Sequence, residues 1–278
     1  MSQKASVADH YRAPDLIEAI EFGLVAMEKD RAHVTIDDLA PVDEFHVLGP
    51  LATGELIEFL GATPDMHVLD LGSGLGGPAR RLAKTTGCKV TGVDLTEDYC
   101  RAGSTLNKWV GLDDQVTLSV GDATDLDAFA PASFDGAWTI HVAMNIKDKT
   151  RFYNEVARVL KPGARFVAFD IVTKGGQDIQ FPVPWAREPE NSHLATVEEM
   201  ETELTGAGFE EIVFHDRTDL AVQFLEAAAA QRAQTGSPPP LGLHILFGPI
   251  FRDAFANITQ NTQNGLIGVT AVTCRKPS

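Results

Sequence analysis

The stretch Asp70-Leu71-Gly72-Ser73-Gly74-Leu75-Gly76-Gly77 sets a carboxylate at the head of a run containing four glycines. Glycine lets a chain turn sharply and lets its backbone approach a ligand closely, and a helix that follows offers its N-terminal N–H groups to whatever is seated there. Two chemistries fit such a loop. The spacing Gly72-x-Gly74-x-x-Gly77 satisfies the dinucleotide fingerprint and keeps a nicotinamide-dependent oxidoreductase in play. Asp70 weighs the other way, because its charge repels a pyrophosphate and suits the ammonium end of a cationic, sulfonium-bearing amino acid. Asp94 stands where a strand-end carboxylate takes both hydroxyls of a ribose in either type of ligand. Gly121-Asp122-Ala123 adds an acidic side chain where an adenine amino group would lie.

These residues need a sheet to hold them. His67 to Leu71 is a short apolar strand entering the glycine turn, and the alternation continues with a helix near 77–86 and a strand from Cys88 to Asp94. A helix near 97–110 and strands Val116–Val120 and Phe134–Ile140 follow, then a helix over 148–160 and a strand from Arg165 to Val172. A helix at 196–206, a strand from Glu210 to His215 and a last strand from Leu266 to Cys274 complete the pattern. Such alternation predicts a Rossmann-like α/β fold, a seven-stranded, mostly parallel sheet with helices on both faces and ligands at the carboxyl ends of the strands. Outside it, residues 1–50 read as an N-terminal helical cap, with Asp15 to Phe22 at helical spacing, and 51–278 as the main domain. About 219–260 reads as a helical cap insertion broken at Ser237-Pro238-Pro239-Pro240. Between Val172 and 196, Lys174-Gly175-Gly176 and Phe181-Pro182-Val183-Pro184-Trp185 make a long loop where prolines exclude regular structure.

A chain of 278 residues that is 44% hydrophobic can bury one large core. Its formal net charge of −16 repels nucleic-acid backbones and anionic membrane surfaces, so neither is an expected partner. Cys88, Cys100 and Cys274 show no metal-ligand or disulfide spacing, so no metal is expected and a cytoplasmic location fits. No run approaches membrane-spanning length. Self-association is left open.

The glycine loop, Val93-Asp94, Gly121-Asp122-Ala123, Ser133-Phe134-Asp135 and Arg158-Val159-Leu160-Lys161-Pro162-Gly163 fall in the order of the class I S-adenosylmethionine-dependent methyltransferases, which the chain resembles over about 45–215. Phe45-His46, His141-Val142-Ala143-Met144-Asn145-Ile146 and Pro182-Val183-Pro184-Trp185-Ala186 are similar, more narrowly, to the sarcosine/dimethylglycine N-methyltransferase-like group, whose relatives include natural-product O- and C-methyltransferases. The resemblance implies S-adenosyl-L-methionine as cofactor and a small-molecule methyl acceptor bearing an amine or hydroxyl. It implies that Gly72, Gly74 and Asp70 hold the methionine part, Asp94 the ribose, and Asp122 with Ala123 the adenine, with Gly76, Leu95 and His46 also at the cofactor. His46 divides between a solvent-facing histidine and a lid residue near the cofactor.

Methyl transfer from a sulfonium is an in-line displacement that needs positioning and exclusion of water rather than a protein nucleophile. An acceptor that arrives protonated needs a base. His141, just past the fourth strand, is the candidate, with Asp170 at the end of the fifth strand as its orienting carboxylate; some natural-product relatives motivate this pair by analogy. The competing reading packs His141 under the cofactor and leaves Asp170 as a strand-end cap. Met144 and Asn145 are candidate pocket residues, and Trp185 is read as a hydrophobic lid or as a face for a cationic amine. A non-catalytic cofactor-binding protein of the same fold is the third alternative.

Overall fold

Short apolar runs bounded by glycines become the strands of one sheet, because β-branched and aromatic residues buried on both faces pack best in a parallel arrangement covered by helices. The computed structural model describes residues 16–175, 178–236 and 238–278. Its strands are β1 (His67–Leu71), β2 (Lys89–Asp94), β3 (Val116–Val120), β4 (Phe134–Ile140), β5 (Leu160–Thr173), β6 (Glu210–Asp216) and β7 (Ile267–Arg275). They form a seven-stranded sheet in the order β3-β2-β1-β4-β5-β7-β6, with β7 antiparallel to both its neighbours and the rest parallel. The order reverses between β1 and β4, and that switch point opens a crevice at the carboxyl ends where a ligand can enter.

The helices are α1 (Leu16–Ala26), α2 (Ile36–Asp43), α3 (Pro50–Leu60), α4 (Gly77–Thr86), α5 (Glu97–Trp109), α6 (Lys149–Val159), α7 (Val197–Gly206), α8 (Thr218–Thr235), α9 (His244–Phe247) and α10 (Phe251–Gln263). Helices α3, α4, α8 and α10 bury residues such as Leu56, Leu82, Leu225 and Ile258 on one face of the sheet. On the other face α6 and α7 bury Phe152, Val156 and Leu204. A third cluster joins the N-terminal segment to the insertion: Ile20 and Leu24 of α1 and Val42 of α2 pack with Leu106 of α5 and Phe247 of α9.

Boundaries differ from the sequence expectation where local chemistry overrides periodicity. Helix α3 starts at Pro50, the last residue of the expected N-terminal cap, because proline at the first helical position supplies the required φ and lacks only an N–H that would be unbonded there. Helix α10 runs to Gln263, past the expected end of the insertion near 260. The expected helix start at Asp15, and residues Gly176 and Ser237 of the two expected breaks, lie outside the described residues.

Arg80 of α4 ties the N-terminal segment to the sheet. It is fully buried. Its guanidinium donates to Asp43 Oδ2 at 2.7 Å, to Asn107 Oδ1 at 2.7 Å and to the Gly103 carbonyl at 3.3 Å. Removing one partner of a buried pair leaves an uncompensated charge, so Arg80→Leu is expected to cost about 3–5 kcal/mol of unfolding free energy. The double variant Asp43→Leu/Arg80→Leu should recover much of that loss. Urea denaturation of the three proteins checks this, and an Arg80→Leu midpoint equal to wild type would contradict it.

Candidate active site

At the switch point lies a cavity of about 660 Å³ whose wall includes the glycine loop, the ends of β2, β3 and β4, the 44–50 segment, and residues from α8 to α10. Gly74 has φ +53° and nothing within 4 Å of where a Cβ would sit, so its bare backbone forms a cradle. Its N–H donates to Asp94 Oδ2 at 2.8 Å, while the N–H of Thr96 donates to Oδ1 at 2.8 Å. Both carboxylate oxygens are thereby oriented, and each keeps a lone pair for a further donor. Asp122 is held in the same manner, its Oδ1 accepting from Thr124 N at 2.8 Å and Thr124 Oγ1 at 2.9 Å. Leu95 and Ala123 line the wall beside these two carboxylates.

Asp70 also lines the cavity, and its buried Oδ2 accepts no hydrogen bond of normal geometry. Burial pushes its carboxyl up to about 8; the Trp138 indole N–H opposes the shift, and the Asp94 and Glu44 carboxylates add to it. A buried oxygen short of donors at the head of a bare-backbone loop, with two oriented carboxylates beyond it, fits a ligand that is cationic at one end and a nucleoside at the other. Gly76 departs from the expected role. It is absent from the cavity wall, and a Cβ there would meet Leu118 at 2.9 Å and Arg80 at 3.2 Å, so it serves the turn into α4 rather than a ligand.

His46 is buried at the wall rather than facing solvent. Its Nε2 lies 3.0 Å from the Gly49 carbonyl and 3.1 Å from Thr53 Oγ1, whose own hydrogen goes to Glu44 Oε2 at 2.5 Å. Nε2 must therefore carry the proton, and Nδ1 is the bare acceptor. Burial pushes its pKa down to about 4, so the ring is neutral.

His141 reaches the wall on a backbone with φ +54°, in the left-handed region that few residues other than glycine enter. Its ring stacks on Phe169 with centroids 5.1 Å apart and meets His46 edge-on at 6.1 Å. Its Nε2 is buried without a hydrogen-bond partner, and burial holds its pKa well below the usual histidine range. Asp170 is not brought to it. Side chains alternate along β5, so with Phe169 beneath His141, Asp170 projects through the opposite face. There Ile171 N donates to Asp170 Oδ1 at 2.9 Å. Burial raises its carboxyl to about 7, against the pull of the Lys149 ammonium and of the backbone N–H groups of Ala143 and Met144. The expected hydrogen-bonded pair is replaced by an indirect link through the 141–149 loop.

That loop is fastened by Lys149, which the sequence left unmarked, and by Asn145. The Lys149 ammonium donates to the carbonyls of Ala143 (2.8 Å), Ile146 (2.8 Å) and His193 (2.6 Å). Asn145 Nδ2 donates to the Trp185 carbonyl at 2.7 Å, and the Trp185 indole N–H donates to Ser192 Oγ at 2.9 Å. Trp185 is thus a fixed, buried part of the wall. Asn145 lines the cavity, and Met144, for which packing is the simpler expectation, both lines it and packs in the core.

With this geometry in hand, likeness to known proteins becomes informative. Residues 69–168 match the methyltransferase domain family. The chain is 34% identical over 156 residues to the methyltransferase GfsG of Streptomyces halstedii, covering 56% of each chain. It is 32% identical over 172 residues to the sterol 24-C-methyltransferase of Eremothecium gossypii, covering 57% of this chain and 44% of that one. The chain therefore spans about half the length of the curated relatives it matches. A solved geranyl diphosphate C-methyltransferase from Streptomyces coelicolor A3(2) superposes with a TM-score of 0.72 at 18% identity over 99% of this chain and 98% of that one, a likeness of fold. The matched residues run from β1 into β5 and take in the glycine loop, Asp94 and Asp122.

Asp70 holds its proton more tightly folded, at about 8, than at its ordinary value of 3.8. Between those values the folded state binds more proton than the unfolded, so this group's contribution to stability falls as pH rises through that window. Asp70→Asn removes that dependence. From about pH 5 to about pH 8 wild type should lose stability relative to Asp70→Asn in urea titrations; parallel curves would rule the raised value out.

Proposed function

We propose that the protein transfers a methyl group from S-adenosylmethionine to a small-molecule acceptor at an amine or hydroxyl, and that it belongs to the sarcosine/dimethylglycine-like branch of its class. The observation that carries this reading is the cradle at the switch point: bare backbone at Gly74, donor-poor Asp70 and oriented Asp94 and Asp122 along one cavity. S-adenosylmethionine, when bound, supplies an electrophilic methyl group on a sulfonium. Asp70, Gly72 and Gly74 would hold its methionine end, Asp94 and Leu95 its ribose, and Asp122 and Ala123 its adenine, with His46 closing over it. A nicotinamide dinucleotide is disfavoured because Asp70, at the loop head, would face its pyrophosphate. The helical segments before residue 50 and between β6 and β7 act as caps on the acceptor side. His141 takes the acceptor's proton, and Asp170 is a positioning residue that fixes the loop carrying it through the Ala143 and Met144 backbone.

Three experiments test these roles. Purified protein should bind labelled S-adenosylmethionine and not NAD, and calorimetry showing the reverse preference ends the reading. Replacing Asp94 with Ala should weaken cofactor binding by about 1–3 kcal/mol, the loss expected for charge-assisted hydrogen bonds. His141→Ala should slow turnover by about 10²–10⁴-fold while keeping cofactor affinity; near-normal turnover leaves that imidazole a packing role only.

A further inference from the structure

The segment from Asp43 to His46 lies directly against the glycine loop. A Cβ on Gly77 would stand 2.3 Å from the Asp43 carbonyl oxygen, and one on Gly72 would stand 2.2 Å from Cγ2 of Val142, the residue after His141. His46 meets the His141 ring edge-on at 6.1 Å, so both approaches place it beside the loop. One of its ring nitrogens is committed. Nε2 faces three acceptors, the Gly49 carbonyl at 3.0 Å, Thr53 Oγ1 at 3.1 Å and Glu44 Oε2 at 3.7 Å. Thr53 spends its own hydrogen on Glu44, whose other oxygen is held by Arg81 at 2.6 Å. The ring proton therefore stays on Nε2 and the lone pair is left on Nδ1. Nδ1 has no hydrogen-bond partner among the described residues. His141 Nε2, also unpartnered, is enclosed by protein; Nδ1 of His46 is not, and its ring lines the cavity.

The hydrogen-bond donors of S-adenosylmethionine are a ribose diol, an adenine amino group and an α-ammonium. Asp94 and Asp122 are oriented for the first two. An ammonium has three hydrogens to place, and Asp70 Oδ2, short of donors at the loop head, takes one. We infer that the bare Nδ1 of His46 accepts a second hydrogen of that ammonium, which makes His46 the residue that reads the amino group of the cofactor. This rests on the methyltransferase reading above and deepens it. A neutral acceptor suits the place. Asp43, Glu44 and Asp70 already bring carboxyl groups to this stretch of wall, and burial keeps the imidazole uncharged near neutral pH, so it is not a second cation beside the ammonium.

Two probes separate the amino group from the rest of the cofactor: S-adenosylhomocysteine and its desamino analogue, in which hydrogen replaces the amino group. By calorimetry near neutral pH, wild type should bind the amino compound at least about tenfold tighter, the scale of a hydrogen bond to a charged group. His46→Phe should lose about tenfold of that preference while binding the desamino analogue as wild type does. His46→Asn, whose amide oxygen stands close to the Nδ1 position, should keep most of it. In nitrogen NMR spectra of isotope-labelled wild type, the His46 Nδ1 signal, assigned by its loss from His46→Asn, should move upfield on adding S-adenosylhomocysteine and much less with the analogue. A preference unchanged in His46→Phe, equal weakening of both compounds, or a nitrogen signal that responds alike to both overturns the assignment. If His46→Phe does not fold, the wild-type nitrogen signal decides alone. If S-adenosylhomocysteine does not bind wild type at all, the methyltransferase reading falls and the assignment with it.

Discussion

The buried guanidinium of Arg80 is the constraint from which the site's geometry follows. It sits at the start of α4, directly after the glycine loop, and reaches Asp43 in the N-terminal segment and Asn107 in α5. The approach is close enough that a Cβ on Gly77 would stand 2.3 Å from the Asp43 carbonyl oxygen. Because Asp43 is fixed there, Glu44 and His46 are laid along the cavity beside the loop, and Thr53 can link the two. Without that anchor the segment before α3 would have its apolar contacts with α5 and α9 but no defined register over the glycine loop.

The parts of this molecule legible in the sequence are those fixed by neighbours in the chain. A strand, a glycine turn and a carboxylate at a strand end occupy a few consecutive residues, so Asp70, Gly74, Asp94 and Asp122 could be picked out, and they line one cavity. Gly76 looked identical by type and serves the turn instead, since the atoms opposing it, in Leu118 and Arg80, are distant in the chain or on the next helical turn. Asp170 shows the limit most clearly. His141 follows β4, and Asp170, expected at the end of the fifth strand, lies three residues inside β5; which face such a residue takes depends on the pleat, and a shift of one residue reverses it. The Glu44–Thr53–His46 chain and the Lys149 clamp had no local signature. A lysine at a helix start is usually a solvated residue, and only the folded loop supplies the three carbonyls that bind it.

Electrostatics inside the cavity differ in kind from the electrostatics of the whole chain. The net charge of −16 describes the molecule at a distance. At the wall five of the seven acids are individually managed: two are paired to buried or half-buried arginines, one has its carboxyl pushed up by burial, and two are oriented by backbone N–H groups. Neutral histidines complete the set. Global charge therefore speaks to partners such as nucleic acids and membranes, while selection among small ligands is set residue by residue.

Lys149 and Asn145 knit the loop after β4 to the loop after β5, so those two walls behave as one body. The wall from α8 to α10 is different: it is a single excursion of chain that leaves the sheet after β6 and returns at β7. Asn257 and Asn261 of α10 tie it to the Pro182 and Gln180 backbone of the proline-rich loop. On the proposed reading, the sheet keeps the donor half of the chemistry and this one stretch of helices faces the recipient.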